Sequence, residues 1–225
     1  MSRSITPQPS KGTVDVWRVG LTLGCDADIQ EDIALLSHDE RVRLGLRQGI
    51  VRRRFARTHA ALRRILATYE GVAPDAVELS ACYGRAPQTR AGPQLSLSHS
   101  GDIALIAVAA APVGVDVESL EVAEGMGADL EEVAEMTLSD RELRILSESA
   151  PQMRAVAWLR SWTRKEAWMK ANGFGLADQS LREVDVSRNM LAGHTLVDLT
   201  PADGYVGAVV LAHPRVRVNW KELRT

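Results

Sequence analysis

Three pieces of this chain recur in the same order about 100 positions downstream. LSHDER at 36–41 is answered by LSDREL at 138–143, RRRFARTHAAL at 52–62 by LRSWTRKEAWM at 159–169, and GDIALIAVAA at 101–110 by GYVGAVVLAH at 204–213. One such match is ordinary; three in register predict a duplicated unit. Each unit carries a capped helix start, a basic-aromatic helix and an apolar strand. The expected fold is therefore α+β: two similar lobes related by a pseudo-twofold, each with helices packed on a small antiparallel sheet. The expected division is a loose tail over 1–12, an N-terminal lobe over 13–112 and a C-terminal lobe over 113–225. A cleft between such lobes is a favoured place for a ligand.

The local signals agree. Val14 to Val19 alternates as a strand does, and Ser37 with Glu40 forms a capping box that opens an arginine-rich helical region to about Gly49. A second helix spans about Arg52 to Tyr69. Ile103–Ala109 and Val113–Glu118 read as strands across Ala110-Ala111-Pro112, with a hairpin as the simplest geometry. Ser139 and Glu142 repeat the capping box, ahead of a helix to about Ser147 and a long one from about Met153 to Ala171. Strands follow near Val184–Val186, Thr195–Leu199 and Tyr205–Ala212.

Composition narrows the function classes. With 225 residues, 45% hydrophobic and 25% charged, the chain has enough apolar material for a sizeable core. Its net charge of −2 argues against a surface built wholly for nucleic acid. Cys25 and Cys82 are far apart and form no CxxC pair, which excludes a thiolate zinc site and points to a reducing, cytoplasmic home. The opening MSRSITPQPSKG lacks an apolar signal region, and no run of about 18 apolar residues is available to span a bilayer.

Two acidic features invite chemistry. In VGVDVE at 113–118 the period of two sends Asp116 and Glu118 to one face of a strand and Val115 and Val117 to the other. A hard divalent cation between them, such as magnesium, relieves their repulsion; a solvated strand face is the plainer alternative. In WTRKEAWMKANGFGL at 162–176, Glu166 falls on the apolar stripe of Ala155, Trp158, Leu159, Trp162, Met169 and Gly173. A buried carboxylate needs a cation, a hydrogen-bond network or a function. Glu166 can supply a third acid from the second lobe, or simply pair with Lys170 across one helical turn.

Elsewhere, LSLSHS at 95–100 sets hydroxyls and an imidazole where a phosphate could be held. No G-x-S-x-G elbow accompanies it, which speaks against a serine nucleophile. Nine arginines between Arg41 and Arg64, with few acids among them, form either a solvated helix face or an anion site. That segment supports an alternative from another class, a non-catalytic protein binding RNA or another polyanion.

Taken together, GVDVE at 114–118 and WTRKEAWMKANGFGL resemble the two signature motifs of the Sfp-type 4′-phosphopantetheinyl transferases, G-[IV]-D-[IV]-E and W-x-x-K-E-[AS]-x-x-K-x-x-G-x-G-L. Their pairing about fifty residues apart is far more specific than either alone. LSLSHS is similar to the family's F-N-x-S-H-S, with Leu95 and Ser96 in place of Phe-Asn. YGRAPQ is similar to its Y-G-K-P segment, with an extra alanine before Pro87.

The resemblance implies two α+β lobes with the active site between them. It implies a magnesium ion on Asp116, Glu118 and Glu166 that binds the pyrophosphate of coenzyme A, with Lys170 on the phosphate under attack. Ser98 and His99 would hold the coenzyme's 3′-phosphate, Arg85 would stand for the family lysine, and Arg47 and Arg54 would be further phosphate contacts. Glu166 would take the proton of the acceptor serine. The implied reaction moves phosphopantetheine from coenzyme A to a serine of an acyl or peptidyl carrier protein and releases adenosine 3′,5′-bisphosphate. It serves fatty acid, polyketide or nonribosomal peptide synthesis, in a monomeric enzyme without membrane or nucleic-acid partners.

Overall fold

A computed structural model describes residues 7–22, 26–80, 88–89, 92–127, 129–174 and 180–223. The chain runs β1 (Thr13–Gly20), α1 (Asp26–Leu35), α2 (His38–Gly45), α3 (Gly49–Glu70), β2 (Leu79–Ser80), β3 (Gln88–Thr89), β4 (Gln94–Ser100), β5 (Ile103–Ala109) and β6 (Val113–Ser119). It continues through α4 (Leu120–Met126), α5 (Asp129–Thr137), α6 (Asp140–Glu148), α7 (Arg154–Ala171), β7 (Met190–Leu191), β8 (His194–Leu199), β9 (Tyr205–Leu211) and β10 (Arg217–Glu222). The architecture is α+β, as the repeat predicts.

Two four-stranded sheets carry the fold, ordered β10-β1-β5-β4 and β6-β9-β8-β7. The first lies under α3, whose Leu62, Ile65, Leu66 and Tyr69 meet Val19, Ala104, Ile106 and Val108. The second lies under α7, whose Ala167, Trp168 and Ala171 meet Leu196, Ala208 and Val210. Between the sheets, Val14, Val16, Leu105 and Ala107 pack on Val115, Val117, Val209 and Leu211. Every residue of β5 is buried, which explains why IALIAVA reads as a continuous apolar run rather than an alternation.

The expected hairpin between the fifth and sixth strands does not form. Both hydrogen-bonding edges of β5 are taken, by β1 and β4, and β6 pairs instead with β9 in the other sheet. Residues 110–112 hand the chain from one sheet to the other. A second departure is β10, which pairs parallel to β1 and so ties the C-terminal end of the chain into the first sheet. The expected strand at Val184–Val186 is also absent. There the carbonyls of Val184 and Val186 accept from Lys165 and Arg164, and the Val186 amide donates to Glu142, so side chains replace a strand partner.

Both capping boxes are present, at Ser37–Glu40 and Ser139–Glu142. Their glutamates do more than cap. Glu40 accepts from Arg63 Nε at 2.7 Å, while the same guanidinium donates to the Val77 carbonyl at 3.0 Å. At positions 102 further on, Glu142 pairs with Lys165 Nζ at 2.8 Å, and that ammonium donates to the carbonyls of Leu181 and Val184. Each lobe thus pins its long helix to the following loop through a buried ion pair. Breaking one side of such a pair strands a buried charge.

Glu40 gives this clamp a pH dependence. Burial raises its pKa, but the His59 hydrogen bond, the Ser37 amide, the charge of His59 and Arg63 outweigh burial and bring it from 4.5 down to about 2. A depressed acid stabilises the fold above its unfolded value and loses that contribution as pH falls through the folded one. Between about pH 4.5 and 2 the protein should lose on the order of 3 kcal/mol from this residue. Acid titration of the unfolding free energy should show it, with a shallower slope in Glu40→Gln.

Candidate active site

The site forms where β6, β4 and α7 meet. Along β6, Val115 and Val117 are turned into the core between the sheets, which leaves Asp116 and Glu118 on the side of α7. Gly114 shares their face. A Cβ there would stand 1.8 Å from the Ala167 carbonyl oxygen and 2.6 Å from the Ala171 nitrogen, so the helix backbone rests directly on the strand. Ala167 follows Glu166 and lies three residues before Lys170; this close seat sets both side chains beside the strand acids.

Lys170 Nζ donates to Asp116 Oδ1 at 2.7 Å and to the Val115 carbonyl at 3.3 Å. From β4, Ser98 Oγ donates to the same Asp116 oxygen at 2.7 Å, and Ser100 Oγ donates to Glu118 Oε2 at 2.7 Å. Among the described residues, Asp116 Oδ2 and Glu166 Oε1 are buried without a hydrogen-bond partner. Buried acceptors are normally satisfied, so two orphans in one site call for an explanation.

The electrostatics tie the three acids together. Burial is the largest influence on Glu166 and raises its pKa; Asp116 and Glu118 push it further up, and Lys170 opposes them. Glu118 is likewise raised by burial and by Asp116, against the Ser100 hydrogen bond and Lys170. The acids are close enough to feel one another. Among the described residues, however, no three His, Cys, Asp or Glu side chains stand as a ready-made group of metal ligands. Lys170 and Ser98 engage one Asp116 oxygen, and Ser100 holds Glu118.

His99 lies next to Ser98 on β4. Packing around its ring, then the charges of Lys170, His59 and Arg54, hold its imidazole below the ordinary value, favouring the neutral form. Arg54 pairs with Asp102 at 2.7 Å in the turn that follows β4. Arg47 lies with its guanidinium 4.2 Å from the centre of the Phe55 ring, at the corner between α2 and α3. Arg85 falls outside the described residues.

The arginine-rich helix is less available to polyanions than its sequence suggests. Arg57 and Arg64 bracket the buried Asp32 of α1 at 3.3 and 2.6 Å, Arg63 is committed to Glu40, and Arg54 to Asp102. The neutralising acids come largely from outside the segment. The α1 helix that supplies Asp32 was not expected from the sequence.

Sequence reasoning missed two features. Ser96 and Ser100 bond to β6 much as Ser98 does, and the S-x-S-x-S alternation that puts all three on one face was legible. Lys165, inside the KEA motif, is wholly buried in the clamp with Glu142; its correspondence to Arg63 at the repeat interval was the available signal.

Comparison with known proteins bears on this arrangement. A family model, the 4′-phosphopantetheinyl transferase superfamily, matches residues 112–204, which hold Asp116, Glu118, Glu166 and Lys170. A curated relative, 4′-phosphopantetheinyl transferase HetI of Nostoc sp., is 31% identical over 214 residues, covering 88% of this chain and 87% of its own length. Among solved structures, holo-[acyl-carrier-protein] synthase of Thermotoga maritima matches at 24% identity with a TM-score of 0.36, over 47% of this chain and 64% of that one. With the HetI likeness running through nearly the whole chain and the family match spanning the strand and helix that build the acidic site, this protein belongs to the 4′-phosphopantetheinyl transferase superfamily.

Proposed function

We propose that this enzyme transfers the 4′-phosphopantetheine arm of coenzyme A to a serine of an apo acyl or peptidyl carrier protein in a magnesium-dependent reaction. The observation that carries the reading is the meeting of Asp116, Glu118, Glu166 and Lys170 at one junction, with two buried carboxylate oxygens that have no partner among the described residues. Hard oxygen donors of this kind suit magnesium, which typically takes one or two protein carboxylates and fills its remaining positions with water and substrate phosphate. A preformed cage is therefore not required. Asp116, Glu118 and Glu166 would hold the ion, and its charge, when bound, would offset that of the pyrophosphate.

The chain's own groups account for the remaining steps. Glu166, raised by burial and its acidic neighbours, is poised to take the proton of the acceptor serine. The serine oxygen then forms a bond to the phosphorus carrying pantetheine, the bond from that phosphorus to the bridging oxygen breaks, and adenosine 3′,5′-bisphosphate leaves. Lys170 holds a positive charge beside the phosphate as negative charge develops there. Neutral His99 would donate to the 3′-phosphate, Ser98 would join it by turning its hydroxyl away from Asp116, and Arg47, Arg54 and Arg85 would add positive charge around the coenzyme. Such an enzyme would act as a cytoplasmic monomer in fatty acid, polyketide or nonribosomal peptide assembly.

Intact-protein mass spectrometry tests this directly. Several apo carrier proteins incubated with the enzyme, coenzyme A and magnesium should yield at least one phosphopantetheine-sized gain, lost when EDTA is added. No gain on any carrier, or an undiminished gain in EDTA, would contradict the proposal.

A further inference from the structure

Strand β4 is the outer strand of the first sheet and β6 the outer strand of the second. They run side by side in the same direction, and serine hydroxyls bridge them. The Val115 amide donates to Ser96 Oγ at 3.0 Å, Ser98 Oγ donates to Asp116 at 2.7 Å, and the Ser119 amide donates to Ser100 Oγ at 3.1 Å. Ser96 and Ser119 are buried, as is Ser100. The hydroxyls on β4 take the place that carbonyl oxygens would hold in a continuous sheet.

Within this seam Ser100 differs from Ser96. Its oxygen accepts from the Ser119 amide, which fixes the direction of its lone pairs, and its proton is thereby aimed at Glu118 Oε2, 2.7 Å away. Among the described residues, Ser96 bonds the backbone of β6 and no acid. Asp116 has the Lys170 ammonium to hold it, whereas Glu118 is held by an uncharged hydroxyl from the other lobe.

We infer that Ser100 is a positioning residue for the cation site: it holds Glu118, which shares a strand face with Asp116, in one orientation, and so couples the seam between the lobes to metal affinity. A carboxylate that swings freely must be ordered each time a cation binds, and its entropy is lost at that step. A carboxylate already oriented by a hydrogen bond carries no such cost, which is why outer partners of metal ligands typically change affinity or activity by about 10- to 100-fold when removed. Ser98 shares an oxygen of Asp116 with Lys170, so its loss leaves that acid anchored; loss of Ser100 leaves Glu118 without its hydroxyl. The inference rests on the reading of Glu118 as a ligand.

The test uses Mn2+ as the probe, titrated into full-length protein and followed by the loss of the free-ion EPR signal. It compares wild type with Ser100→Ala, Ser100→Thr, Ser96→Ala and Glu118→Gln, alongside thermal unfolding. Ser100→Ala should weaken Mn2+ uptake about tenfold or more, and the same variant should need about tenfold more magnesium for half-maximal transfer. Ser100→Thr keeps the hydroxyl and should recover most of the affinity. Ser96→Ala removes a hydroxyl–amide bond from the same seam without touching an acid; it should lower the unfolding temperature while retaining Mn2+ affinity.

Wild-type affinity in Ser100→Ala overturns the inference, as does an equal loss in Ser96→Ala, which would mark the seam as a structural joint alone. The underlying reading fails separately. If wild type takes up no Mn2+, or Glu118→Gln takes it up as wild type does, Glu118 is not a ligand and both fall; a defect in Glu118→Gln without one in Ser100→Ala removes only the role of Ser100.

Discussion

Gly114→Ala should cost the enzyme both its rate and much of its stability, although it adds a single methyl group. That methyl would sit 1.8 Å from the Ala167 carbonyl oxygen and 2.6 Å from the Ala171 nitrogen, and both are backbone atoms of α7. No side chain can rotate away. The helix must lift or the strand must bow, and overpacking of this kind typically costs about 1–3 kcal/mol or more. For a chain of this size, 3 kcal/mol lowers the unfolding temperature by roughly 6–12 °C.

The effect on catalysis should be larger still. Lys170 reaches Asp116 at 2.7 Å only because α7 lies directly on β6. A displacement of about 1 Å breaks that contact and moves Glu166 with it, and misplacement on this scale can lower a rate about 100-fold. Thermal unfolding and a carrier-loading assay on the same preparation would measure both effects. Normal values in both would mean that the helix is not seated on the glycine.

Glu166→Gln should separate stability from activity in the opposite sense. The substitution keeps shape and removes charge. Because burial raises Glu166 above its unfolded value, its contribution to stability is fully present below about pH 4.5 and is lost as pH rises through the folded pKa. Once ionised, the carboxylate is therefore a burden on the metal-free fold, and glutamine should leave the unfolding temperature unchanged or higher. Transfer should nevertheless fall by about 100- to 10,000-fold, the range associated with loss of a general base. A variant that unfolds as expected but transfers normally, with unaltered magnesium dependence, would take Glu166 out of the mechanism.

How much of this was legible beforehand differs from feature to feature. The capping boxes were read correctly because a Ser-to-Glu spacing of three is a local hydrogen-bond pattern that needs no tertiary partner. The shared face of Asp116 and Glu118 was equally local, since strand alternation alone provides it. The hairpin after β5 failed for the converse reason: a short connection shows that two strands are consecutive, not that they share a sheet. Helix α1 escaped notice, and with it Asp32, the acid that occupies Arg57 and Arg64. Hence an arginine-rich stretch that reads as an open basic face is largely committed internally.

For the site itself, residue types and their order were written in the chain: two acids on one strand, an acid and a lysine one turn apart on a helix, and a run of alternating serines. Those follow from the periods of strand and helix, which a sequence carries along its whole length. Which Asp116 oxygen meets Lys170, which oxygens stay without partners, and that Ser100 rather than Ser96 reaches Glu118 depend on how β4, β6 and α7 come together. Those contacts join residues tens of positions apart, and their geometry is set by close packing of backbones at Gly114, a constraint that no local pattern encodes.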